Sequence, residues 1–84
     1  MTPVRNQKDV ESVAKRAIDA LYGTEAKDMK IRVLLPFPNE HKQEGWDANV
    51  TFILKGMQYT VDLLINQKDG QITNARLIDT MVPL

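Results

Sequence analysis

Three consecutive segments, WDANVTFILK (46–55), QYTVDLLIN (58–66) and QITNARLID (71–79), decide the reading of this chain. In the first, Trp46, Ala48, Val50, Phe52 and Leu54 alternate with Asp47, Asn49, Thr51, Ile53 and Lys55. In the second, Tyr59, Val61, Leu63 and Ile65 alternate with Thr60, Asp62, Leu64 and Asn66. Successive side chains of a strand point to opposite faces, so this alternation marks half-buried antiparallel strands. The connections are short. Gly56 supplies any positive φ the first turn requires, and Asp69-Gly70 suits either a tight primed turn or a type I turn with a bulge at the glycine. The third segment alternates less cleanly, because Ile72, Ala75, Leu77 and Ile78 do not share one phase; a bulge near Asn74 or an edge position would explain it.

Upstream, Val10, Val13, Ala14, Ala17, Ile18 and Leu21 form one apolar stripe at helical period, predicting a helix over 7–22. Asn6 is placed to cap its start, with Thr2-Pro3 as a second possible start, and Gly23 is placed to end it. Glu11 and Lys15 stand at the spacing of a favourable helical ion pair. Met29, Ile31, Val33 and Leu35 alternate with Lys30, Arg32 and Leu34, predicting a first strand that Pro36 and Pro38 stop. Residues 36–45 are then the longest loop.

The expected fold is α+β: a two-layer sandwich, one N-terminal helix packed on a four-stranded antiparallel meander, in a single domain over 1–84. The helix should cover the face carrying Trp46, Val50, Phe52, Tyr59, Val61 and Leu63. The opposite face then presents Leu34, Ile53 and Leu64, with Leu77 or Ile78, and no second helix remains to cover them. Such residues either form a partner surface or stand singly among Thr51, Thr60 and Asp62.

Eleven basic and eleven acidic side chains cancel, which argues against a nucleic-acid partner. The chain has no cysteine, hence no disulfide and no thiolate metal site. No apolar run reaches the roughly 20 residues of a membrane span, and the expected setting is cytoplasmic. Cores this small supply only about 3–5 kcal/mol, so self-association would help.

Candidate chemistry is thin. Glu40, His41 and Glu44 lack a second histidine or cysteine and a rigid element to fix geometry, so a solvated loop is favoured over a metal site. Ser12 lies on the polar helix face, with His41 the sole imidazole and nothing to bring them together. Asp47 and Asp62 share the outer phase and could work as a pair, though solubilising charges are the simpler reading. Trp46 and Tyr59 fall on the core phase. The four glycines are dispersed at element ends, so there is no phosphate loop.

The order Ala20-Leu21-Tyr22-Gly23, Gly45-Trp46, Tyr59-x-Val61-x-Leu63-x-Ile65, Asp69-Gly70-x-Ile72 and Arg76 resembles the gas vesicle accessory protein O family. There a glycine-tryptophan opens a strand and a Tyr-x-Val strand leads to an Asp-Gly turn. It is also similar to PepSY-type small domains, which share a helix-plus-hairpin unit and are often regulatory or inhibitory. The resemblance spans most of 14–78 and implies the same fold; it carries no catalytic residue over. The C-terminal Met81-Val82-Pro83-Leu84 departs from the arginine- and tyrosine-rich strand of the gas vesicle pattern.

The functional expectation is a non-enzymatic protein-interaction or assembly module, without cofactor, acting through Leu34, Ile53 and Leu64 on a protein partner or on itself as a homodimer. The alternative is a small-ligand binder or minor enzyme with a pocket between the helix C-terminus, Phe37 and Trp46.

Overall fold

The computed structural model describes residues 4–82. Helix α1 (Gln7–Tyr22) is followed by strands β1 (Lys27–Phe37), β2 (Gly45–Leu54), β3 (Met57–Asn66) and β4 (Ile72–Met81). The strands form one antiparallel sheet in the order β1-β2-β3-β4, with the helix packed on one face.

The helix bounds follow from its ends. The Asn6 side chain accepts from the Asp9 amide, and the Asp9 carboxylate in turn accepts from the Arg5 amide, satisfying two otherwise orphan donors. Gly23, at φ 99, ends the helix with its N–H on the Asp19 carbonyl. The alternative start at Thr2-Pro3 lies outside the described residues. Lys15 pairs with Asp19 at 2.6 Å, rather than with Glu11.

The core joins Val10, Val13, Ala14 and Ile18 of the helix to Ala48, Val50, Phe52, Val61, Leu63 and Ile65 of β2 and β3. Two contributors come from segments that the periodicity leaves out. Val4 and Ala26, just outside the helix, are both buried. Val4 is tied in by its amide to the Gln67 carbonyl and by its carbonyl, which accepts from the Trp46 indole. At the other end of the sheet Tyr22, Phe52 and Tyr59 form an aromatic triad, with Phe52 and Tyr59 stacked at 5.3 Å.

The hairpin turns are of two kinds. Lys55 and Gly56 both take positive φ (52 and 78), the signature of a two-residue type I′ turn. In the β3–β4 turn only Gly70 does (φ 74), the arrangement of a type I turn closed by a glycine bulge. The Asn66 side-chain carbonyl and the Asp69 carboxylate accept from the Lys68 and Gln71 amides and brace it.

Two expectations for β1 need correction. Pro36 does not stop the strand: it pairs with Trp46, and the ladder continues to Phe37 opposite Gly45. β1 has a neighbour on one side only, where a residue without an N–H is tolerated. Leu34 is not on the outer face. Ile31 pairs with Val50 and Val33 with Asn49, so Arg32 is an extra residue that inverts the phase beyond it. Leu34 consequently stands opposite Ala48 and packs against the core.

Candidate functional site

The outer face is a grid whose rows follow from the register. Leu35, Asp47, Leu64 and Asn74 form one row across β1 to β4, and Val33, Asn49, Asp62 and Arg76 the next. Two rows on, Ile53 stands between Lys27 and Gln58. Ile53 and Leu64 therefore share a face but not a neighbourhood. Gln58 and Leu64 are six positions apart on β3, about 20 Å at the usual rise of a strand. With Leu34 turned inward, the expected trio of Leu34, Ile53 and Leu64 is not one patch. Leu64 instead has Leu35 across Asp47, with Val33 beside it, and both β1 residues are exposed.

Between these apolar corners lies a polar centre. Asp47 and Asp62 sit on adjacent strands, diagonal to one another, with Asn49 and Arg76 on either side of Asp62. The Asp62 carboxyl is pushed up from 3.8 to about 6, first by burial, then by its hydrogen bond to Asp47 and the repulsion between the two; Arg76 acts in the opposite sense. Asp62 therefore takes up a proton in mildly acidic solution, and so protonated it can donate to Asp47. No serine, threonine, cysteine or lysine is in their two rows.

The other sequence candidates separate. Glu40 and His41 face each other at 3.7 Å but are almost fully solvated, and among the described residues no three His, Cys, Asp or Glu side chains gather as metal ligands would. The pocket expected between the helix C-terminus, Phe37 and Trp46 does not assemble. Tyr22 at that helix end packs on Phe52, six positions along β2 from Trp46. Phe37 pairs with Gly45 and Trp46 with Pro36, so the two aromatics occupy opposite phases.

A feature the periodicity does not reveal is how the sheet is divided on the helix side. A helix about 10 Å across covers two to three strands spaced about 4.8 Å apart, not four. The helix-side residues of β2 and β3 are mostly buried, whereas every residue of β4 after Ile72 is exposed. Between helix and β4 runs a shallow groove lined by Ala17, Ala20, Leu21, Ile72 and Ala75. Leu21, at the edge of the helical stripe, and Leu77, opposite Val61, remain about half exposed for this reason. The less regular alternation of β4 has both expected causes: it is an edge strand, and extra residues at Thr73 and Ile78 shift its phase twice.

Compared with protein-family models, curated proteins and solved structures, the chain matches none.

Proposed function

We propose that this protein is a non-enzymatic interaction or assembly module that associates with itself through the parts of its sheet the helix leaves uncovered. One observation carries the reading. Of the exposed large apolar side chains among the described residues, Val33, Leu35 and Phe37 lie on β1, Leu77, Ile78 and Met81 on β4, and Val82 directly after it; only Leu21 lies elsewhere. Scattered exposed apolar residues are ordinary, but concentration on the two unpaired rims of a sheet is the distribution of an association surface.

Light scattering over a rising concentration series tests the reading, together with capture of binding partners on the immobilised protein. Association that is weakened by charges at Leu35 and Leu64, or at Leu77 and Ile78, is the expected result. A chain that stays monomeric throughout and captures nothing would refute it.

A further inference from the structure

The two rims are not equivalent. β1 carries Lys27, Lys30 and Arg32 against a single acid, Asp28, and contains Pro36. Lysines and proline are the devices by which edge strands repel other strands, and two copies of this edge would set like charges together. β4 carries one Arg76 and one Asp79, with no lysine and no proline in its ten residues. Its edge is neutral and, in the stretch between the bulges at Thr73 and Ile78, carries no such device; it borders the apolar groove beneath Leu21.

We infer that a second copy of this chain pairs antiparallel along the free edge of β4, about a two-fold axis at Ala75, joining two four-stranded sheets into one of eight strands. The inference rests on the self-association reading and specifies its surface. Facing residues of antiparallel strands share a sheet face, so a two-fold normal to the sheet must set some residue opposite itself. The stretch of β4 between its two extra residues runs from Asn74 to Leu77. Centring on Arg76 opposes two guanidinium groups, which is destabilising. Centring on Asn74 or Leu77 sets a bulge directly beside the axis, whereas centring on Ala75 moves it two residues out, where Thr73 faces Leu77. Centring on Ala75 places Arg76 of each copy opposite Asn74 of the other, a cation facing a neutral acceptor, on the outer face. On the helix side the small Ala75 leaves the middle open for the exposed Leu21 of each copy to close over.

The absence of cysteine makes the test clean. Directly opposed Cα atoms of antiparallel strands lie about 4.5–5.5 Å apart, within reach of a disulfide. With Ala75→Cys under mild oxidation, a covalent dimer is expected, whereas Ile53→Cys and Leu64→Cys should remain uncrosslinked. Amide hydrogen exchange in the wild type should show β4 protected throughout rather than at alternate residues, and Leu77→Lys should abolish the dimer and return β4 to protection at alternate residues. A wild-type dimer in which Ala75→Cys does not crosslink, or in which Leu64→Cys does instead, overturns the β4 assignment while self-association stands. A wild type monomeric at every concentration overturns this inference, and one that also captures no partner overturns the reading it rests on.

Discussion

The indole Nε1 of Trp46 donates to the carbonyl oxygen of Val4 at 3.1 Å, closing the segment before the helix onto the first residues of β2. Val4 is itself buried, and its amide reaches the Gln67 carbonyl at 2.8 Å. Trp46→Phe keeps the ring and removes the donor, so a loss of about 1 kcal/mol is expected in urea unfolding. Val4→Ala should cost about 1–2 kcal/mol through lost burial. The sole tryptophan reports the second variant directly by its fluorescence.

Gly45 is a tighter constraint. It is buried at the start of β2, and a Cβ there would run into the backbone carbonyl of Ile65. Backbone held in the middle of the sheet has no easy way to yield. Gly45→Ala is expected to destabilise by about 2–4 kcal/mol, the scale of core overpacking and strain. Thermal unfolding followed by circular dichroism measures it; a change under about 0.5 kcal/mol, the range of ordinary surface substitutions, would mean that the two strands separate readily.

Lys55 carries a positive φ of 52 in the type I′ turn, where a residue with a four-carbon stem has no advantage. Asparagine adopts this conformation more readily, and Asn-Gly is the favoured pair at such turns. Lys55→Asn should stabilise the fold by about 0.5 kcal/mol, visible as a higher urea midpoint with an unchanged slope.

Asp62 gives a pH dependence whose sign follows from its raised value. Unfolded, it titrates near 3.8; folded, at about 6. The folded state holds the proton more tightly, so the associated stability is complete below 3.8 and is lost as pH rises through about 6. Asp62→Asn removes the repulsion with Asp47 and should raise stability at neutral pH by about 1 kcal/mol, allowing for solvent screening. It should also flatten the stability profile between these two pH values. A wild-type profile already flat there would show that folding does not tighten the hold of Asp62 on its proton.

Leu34 and Ile53 offer a direct comparison of the two faces. Leu34 packs against the core, whereas Ile53 sits on the outer grid between Lys27 and Gln58. Leu34→Ala should therefore cost about 2 kcal/mol and Ile53→Ala clearly less. Equal losses in chemical unfolding would contradict the register drawn through Arg32.

Much of this architecture is legible in the sequence because both of its periods survive in the residues. The helix was bounded by Asn6 and Gly23, and Ala48, Val50, Phe52, Val61, Leu63 and Ile65 announced the inner face by alternation alone. The order of elements with short turns leaves little choice but a meander. The candidate surface was less legible. Alternation counts residues, and a single extra one inverts every phase after it. Arg32, Thr73 and Ile78 are such residues, and nothing in their chemistry sets them apart; each is held out of the ladder by pairing with the neighbouring strand.

The sequence by itself therefore determined one helix, four strands, their antiparallel order and the inner face of the central pair, since these follow from local period and turn chemistry. Only the tertiary structure decided that Leu34 turns inward, that Ile53 and Leu64 stand apart, and that β4 is left open beside Leu21. Those outcomes depend on where bulges relieve the pairing of long strands and on how much of a four-stranded sheet one helix can span. Both are properties of elements packed together rather than of any segment alone.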